Sequence, residues 1–358
     1  MGSEEQEVHL EGQKLMYHVK EVSKWLDGEI VAPIYVEIGP INSCNHKCLF
    51  CALDYLKDKG KSIDKNVLIR ALKNMAQFGV KSVMFAGEGE PFLYPYLPEV
   101  IENARQFNLD VAITTNGVLF SEEKVRSVLK NLSWVKFSID AATEKTHANI
   151  HGCDEKDFAR LMTNIKYACD FKKEHNLKCS IGCQILLIPD NIGEVEELIM
   201  KVKDLGVNYI ALKPYSQHPS SINRMVLDLN KYDSILTEIS TKHSKNGFSV
   251  IYRNKSAEEI EQKEISYDKC YGLNFFTLIN SSGDVMPCNL FYERPEFCYG
   301  NINKNTFEEI WKGESRKRVL EKLYAMGCAN CRKGCRLNFV NKYLDEVKNR
   351  NIKHINFI

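Results

Sequence analysis

The chain has 358 residues, 27% of them charged and 44% hydrophobic, the balance of a soluble globular protein with room for about two domains. Its 48 Lys and Arg stand against 47 Asp and Glu, so the formal charge is +1; with no long basic run, no nucleic-acid or membrane-surface partner is implied. No apolar run approaches the roughly 20 residues of a membrane span, and the start "MGSEEQEVHLEGQK" is too acidic and polar for a secretory signal or for lipidation after Met1, so a cytoplasmic protein is expected.

Residues 1–32 read as an N-terminal extension. From residue 33, short β-rich runs alternate with amphipathic helical segments, the mark of βα units and a parallel sheet. The first run is "PIYVEIG" (33–39), and Cys44, Cys48 and Cys51 follow it in "CNHKCLFC". Further runs are "SVMFAG" (82–87), "DVAITTN" (110–116), "WVKFSID" (134–140), "CSIGCQILLI" (179–188) and "YIALKP" (209–214). Between them, Leu68, Leu72, Met75 and Phe78 space one helix, which Gly79 can end; Leu97, Val100, Ile101, Ala104 and Phe107 space a second; Val195, Leu198, Ile199, Val202 and Leu205 space a third. Six such strands fall short of the eight of a complete barrel. The expected fold is α/β, an open, partial (β/α)6 barrel of the TIM type over 33–235.

Strand alternation divides the side chains. Val135, Phe137 and Ile139 share one face, and Cys179, Ile181, Cys183 and Ile185 another; these should pack on the helices. The opposite faces would line the barrel interior with Glu37, Asn116, Ser138, Asp140, Gln184, Lys213 and Tyr215. A full barrel fills that space with branched apolar side chains; a polar lining implies a bound polar ligand.

After 216 come a loop containing His218, expected at the surface, a helix over 229–246 and a strand at 248–252; residues 236–265 read as a connecting segment. A small cysteine-rich α+β module over 266–340 follows. Its hairpin "FFTLINSSGDVMPC" is flanked by Cys270 and Cys288, and "CANC" supplies Cys328 and Cys331, with Cys335 shortly after. Residues 341–358 read as a tail.

Thirteen cysteines in a chain without an export signal point to metal or catalysis rather than bridges. Cys169, Cys179 and Cys183 lie in apolar patterns and read as small buried hydrophobes. The 44–51 loop is different. A [4Fe–4S] cluster normally takes four thiolates, so three leave one iron open for a small molecule. Structural zinc is the alternative, but it fills four protein positions, and His46 is badly placed in a tight loop to be the fourth.

CX3CX2C after the first strand of such a barrel, with Phe50 before the third cysteine, resembles the radical S-adenosylmethionine (SAM) enzymes. The resemblance covers roughly residues 33–215. "GEGEP" (87–91) is similar to the family's "GGEP" element, with Glu88 in place of its first glycine; this implies that Gly87, Glu88, Gly89 and Glu90 meet the SAM amino group. "TTNG" and "SID" resemble the elements around the SAM ribose and carboxylate, implying roles for Thr115, Asn116, Ser138 and Asp140. Gln184 reads as a further ligand contact or as a satisfied core amide. His151 stands where relatives often carry Arg before Gly.

The implied chemistry is chelation of the open iron by SAM, reductive cleavage to a 5′-deoxyadenosyl radical, and hydrogen abstraction from substrate, with a flavodoxin- or ferredoxin-type reductant. The C-terminal module resembles the SPASM/twitch extension of the same enzymes. One auxiliary [4Fe–4S] cluster is implied, held by Cys270, Cys288, Cys328 and Cys331, with Cys335 either a replacement ligand or a free thiol and Cys298 unligated. Taken alone, these cysteines would also suit zinc. Lys213 and Tyr215 are the expected catalytic residues: Lys213 as a base, as an anion holder, or as an ion-pair partner of Glu37 or Asp140. The expected substrate is a polar small molecule of sugar or aminocyclitol type, undergoing oxidation or epimerisation. The alternatives are a maturase that modifies a peptide or protein, and a non-enzymatic iron–sulfur electron carrier, which would leave "GEGEP" and "TTNG" without a purpose.

Overall fold

The computed structural model describes residues 13–245, 247–262, 264–349 and 353–357, so parts of the expected N-terminal extension and C-terminal tail lie outside the described residues. The strands are β1 Tyr35–Ile38, β2 Ser82–Phe85, β3 Asp110–Thr115, β4 Trp134–Ser138, β5 Ser180–Leu187, β6 Tyr209–Pro214, β7 Ser249–Tyr252, β8 Phe276–Ile279, β9 Asp284–Met286 and β10 Gly300–Asn301. They form a single sheet in the order β10-β9-β8-β1-β2-β3-β4-β5-β6-β7. β1 to β6 are the six expected parallel strands, and β7 extends them beside β6. The cysteine-rich module joins the same sheet: β8 runs parallel to β1, with Tyr35 to Ile38 paired in turn to Phe276 to Ile279, and β9 and β10 continue antiparallel.

The helices form where periodicity places them. Helix Lys65–Phe78 starts at Asp64, whose carboxylate accepts from the Asn66 and Val67 amides, and ends at Gly79, which takes φ 117° in the left-handed region. Its buried face is Leu68, Ala71, Leu72 and Met75, each large aliphatic side chain being worth about 1.5–3 kcal/mol of burial. Along β4 and β5 the alternation holds: Val135, Phe137, Ile181, Cys183 and Ile185 are fully buried, whereas Lys136, Ser138 and Gln184 are half-exposed toward the interior. Cys169 and Cys179 are buried as expected.

The lower end of the interior is plugged. Tyr35, Met84, Ala112 and Trp134 pack together, and the Tyr209 ring lies over Gly182, where a Cβ would sit 2.1 Å from it. The upper end, at the strand C-termini, carries the polar groups. Within the module, Trp311 is fully buried, donates from Nε1 to the Val31 carbonyl (2.7 Å) and carries the Arg316 guanidinium 3.8 Å over its ring.

Candidate active site

The three-cysteine loop leaves β1 and is held by backbone on two sides. Lys47 N–H donates to the His151 carbonyl (2.8 Å) and Leu49 N–H to that of Ile150 (2.9 Å), at the end of helix Glu144–His151. On the other side, Glu90 N–H donates to the Ser43 carbonyl at 2.9 Å. The contact is close enough that a Cβ on Gly89 would stand 2.2 Å from that oxygen, so "GEGEP" can lie against the loop only with glycine there. Cys44, Cys48 and Cys51 are free thiols within electrostatic reach of one another. Burial is the largest influence on each and pushes all three thiols up. Such a group ionises when a metal supplies the positive charge, so the donor set fits an iron–sulfur cluster.

Glu90, Thr115 and Asn116 are brought together. The Glu90 carboxylate is buried, which raises its pKa, and accepts from the Thr115 hydroxyl (2.6 Å) and from the Asn116 (2.9 Å) and Phe92 (3.1 Å) amides, which lower it. Asn116 reaches back to Asn45 inside the cysteine loop at 2.8 Å. Phe50 and Tyr215 flank a small apolar cluster of Ala141, Ile150 and Ile188 beside the loop. Three expected residues are engaged elsewhere. Glu88 turns to the module hairpin and accepts from Ser281 N–H at 2.6 Å; Gln184 accepts from the Lys136 ammonium at 2.9 Å; buried Asp140 accepts from Leu186 N–H and lies 3.1 Å from His151 Nε2.

A histidine group behind the loop escaped the sequence reading. His46 is buried, its Nδ1 3.4 Å from His151 Nδ1 and its Nε2 3.4 Å from Asp157. With His151 it brings a ring nitrogen within 4.8 Å of the Cys48 sulfur. His151 Nδ1 lies 3.3 Å from the Cys48 sulfur, and His147 stacks on His151 with centroids 4.1 Å apart. Burial and the His151 charge bring His46 down to about 4, and burial brings His147 to about 2. The spacing of His147 and His151, four apart on one helix, was the available signal. His218 corrects an expectation: it is fully buried and stacks on Tyr55 at 5.3 Å, because its loop is drawn down to Asp54, which accepts from Ser221, Ile222 and Asn223.

In the module, Cys270, Cys288, Cys328 and Cys331 are all raised, burial being the largest cause, and Cys335 acts electrostatically on every one of them. Asn341 donates to the Cys270 sulfur at 3.2 Å. Cys298 is apart, donating to the Gly300 carbonyl. A single zinc would draw thiolates to about 3.8 Å from one another. Four thiols with one more close by suit an iron–sulfur cluster as well as zinc. Between the module and the barrel lies a cavity of about 80 Å³ lined by Glu37, Lys213, Arg332, Arg336, Cys288 and Cys335 among others. Arg336 pairs with Glu37, and Asp140 with His151, so neither carboxylate is the partner of Lys213.

The model of the radical SAM superfamily matches residues 38–202, and that of the SPASM iron–sulfur cluster-binding domain matches 270–335. The chain carries a radical SAM domain followed by a SPASM domain. This radical SAM chain is 23% identical over 320 residues to the tungsten-containing aldehyde ferredoxin oxidoreductase cofactor-modifying protein of Pyrococcus furiosus, covering 83% of this chain and 86% of that protein. It is 28% identical over 204 residues to a "probable GTP 3',8-cyclase" of Saccharolobus islandicus, covering 56% of this chain and 63%, less than two thirds, of the cyclase.

Among solved structures, Streptococcus suis SuiB bound to S-adenosylmethionine superposes with a TM-score of 0.66 at 19% identity, over 87% of this chain and 72% of SuiB. Native anSMEcpe with bound AdoMet gives 0.60 at 20% identity, over 89% and 100%. At these identities the likeness shows the fold. The cofactors of this radical SAM enzyme are a SAM-binding [4Fe–4S] cluster, SAM, and auxiliary iron–sulfur ligation in the SPASM module. No helix among the described residues is long and apolar enough to cross a membrane.

Proposed function

We propose that this chain uses SAM to abstract a hydrogen atom from a polar small molecule of sugar or cyclitol type held in the upper barrel, leading to oxidation or epimerisation. The observation that carries the reading is the polar, charged interior lying between the two cysteine sites, where a full barrel would be apolar. When bound, the clusters and SAM supply a 5′-deoxyadenosyl radical at one end of this space and an electron acceptor at the other.

The chain's residues divide the remaining work. Cys44, Cys48 and Cys51 would hold the SAM-binding cluster. Cys270, Cys288, Cys328 and Cys331 would hold the auxiliary one, with Cys335 close enough to take a ligand position. Gly87, Gly89, Glu90, Thr115 and Asn116 shape the SAM side, Glu90 fixing the "TTNG" turn through its three accepted hydrogen bonds. Phe50 and Tyr215 give that side an apolar wall that excludes water. Ser138, Asp140 and Gln184 belong to the same polar layer, in which Asp140 orients His151. Glu88 ties the SAM strap to the module.

Lys213 is the candidate proton acceptor: burial and the neighbouring cations hold its ammonium well below the ordinary lysine value, as a base at neutral pH requires. The division into extension 1–32, barrel 33–235, connector 236–265, module 266–340 and tail 341–358 is part of the same proposal. Relatives named for modifying a cofactor and for cyclising GTP support a small-molecule substrate. SuiB bound to its precursor peptide, a neighbour in fold, keeps a peptide as the second reading.

The test is anaerobic reconstitution followed by SAM and a flavodoxin or chemical reductant, with 5′-deoxyadenosine and methionine measured. Cleavage stimulated by small polar molecules is expected. Absence of cleavage under all conditions would sink the enzyme reading, and stimulation by peptides alone would replace the substrate class.

A further inference from the structure

The cavity between barrel and module carries more positive charge than its surroundings use. Lys213, Arg253, Arg332 and Arg336 line it, and Lys136 lies within electrostatic reach of Lys213; among the described lining residues Glu37 is the one carboxylate. Arg336 is committed to Glu37. Arg332 is pinned by Ser216, donating from Nε to its hydroxyl at 2.9 Å and from Nη2 to its carbonyl, which leaves Nη1 for the cavity. Lys136 donates to a neutral amide, and Lys213 has no hydrogen bond or ion pair among the described residues.

A resident auxiliary cluster accounts for part of this. Four thiolates around a [4Fe–4S] core leave a net charge of about −2. Setting Arg253 aside and taking Lys213 as protonated, the cluster and Glu37 together neutralise three of the four charges on Lys136, Lys213, Arg332 and Arg336. One positive charge among these partly exposed side chains then remains beside the auxiliary site, and taking an unpaired charge partly out of water is costly.

We infer that this cavity is an anion subsite, in which Lys213 and Arg332 seat a phosphate or carboxylate group of the substrate. The inference rests on the proposed small-molecule reading and narrows it: acidic members such as sugar phosphates or sugar acids fit, and an aminocyclitol, carrying a further positive charge, does not. The anion would also reverse the forces on Lys213, whose ammonium is now disfavoured by burial and by Arg253, Lys136, Arg332 and Arg336. A guanidinium with its fork held from behind and an ammonium with free donors are a suitable pair for such oxygens.

The test is calorimetric titration of the anaerobically reconstituted holoprotein, in a buffer free of phosphate and carboxylates, with inorganic phosphate, malonate and glucosamine as probes. Phosphate or malonate should bind and glucosamine should not, and the auxiliary-cluster EPR signal should shift with the anion. Lys213→Gln and Arg332→Gln should each weaken anion binding by about tenfold or more while iron stays at wild-type content. Preference for phosphate would specify a phosphate ester, and preference for malonate a carboxylic acid. Binding of neither anion, or binding that survives both substitutions, overturns the subsite. A protein that binds the anion here but never cleaves SAM keeps the subsite and loses the proposed function; one that cleaves SAM but binds neither anion loses the subsite alone.

Discussion

Gly89→Ala tests whether the glycine-rich strap and the cysteine loop form one unit. The added Cβ would sit 2.2 Å from the Ser43 carbonyl oxygen and 2.7 Å from that of Ile41. Both are backbone atoms, so no side chain can rotate away. Forcing the strands of chain apart costs about 1–3 kcal/mol, as overpacking does. The Glu90 N–H to Ser43 hydrogen bond, 2.9 Å long, would be lost as well, adding about 0.5–1.5 kcal/mol. The sum is about 1.5–4.5 kcal/mol. A chain of 358 residues unfolding as a unit has a melting entropy of about 0.75 kcal/mol/K, from ~2.1 cal/mol/K per residue, so Tm should fall by about 2–6 °C. Circular dichroism of the metal-free, reduced chain measures this, and iron content after reconstitution should also fall, because the loop that carries Cys44 has moved. Gly193→Ala is the control, since a Cβ there meets nothing within 4 Å and should leave stability within about 0.5 kcal/mol. A Gly89→Ala chain that melts within 1 °C of wild type and takes up full iron would refute the reasoning.

Iron should stand at about eight per wild-type chain and about four in Cys270→Ala/Cys288→Ala, with SAM cleavage in the absence of substrate retained; about four irons with bound zinc in the wild type would refute the auxiliary cluster. Trp311→Phe removes the donor to Val31 and weakens the Arg316 stack, for a loss of about 2–4 kcal/mol seen as a lower denaturation midpoint. Lys136 is held at about 8, chiefly by burial and then by Arg253 and Arg336, below its unfolded value of 10.5. Between those pH values the unfolded chain binds more protons, so stability of the metal-free protein should rise with pH from about 8 toward 10.5; the rise should flatten in Lys136→Gln, and an unchanged slope would contradict the assignment.

Much of the barrel was legible because its signals are local. Alternation along β4 and β5 named the inward and outward residues, and the i, i+3, i+4 spacing named the helix faces. The cysteine loop was legible because its three ligands lie within eight residues. What escaped depends on contacts across long sequence separations. Nothing in "FFTLI" says that β8 will lie parallel to β1, some 240 residues away. Arg332 and Arg336 look like surface charges in "CRKGCR" until the module folds onto Lys213 and Glu37. Glu88 reads as part of a cofactor element, yet its carboxylate serves Ser281. His218 reads as a loop histidine, and only Tyr55 and the Asp54 contacts explain its burial.

The ladder between β8 and β1 has a further meaning for electron flow. Modules joined by a flexible linker sample a range of separations, and tunnelling between their centres would vary with each excursion. Here both cysteine sites are anchored to adjacent strands of one hydrogen-bonded sheet, one leaving the end of β1 and the other flanking β8 and β9. An electron passing between them would cross a gap framed by one sheet, and the side chains and loops at the rim are the parts left to move.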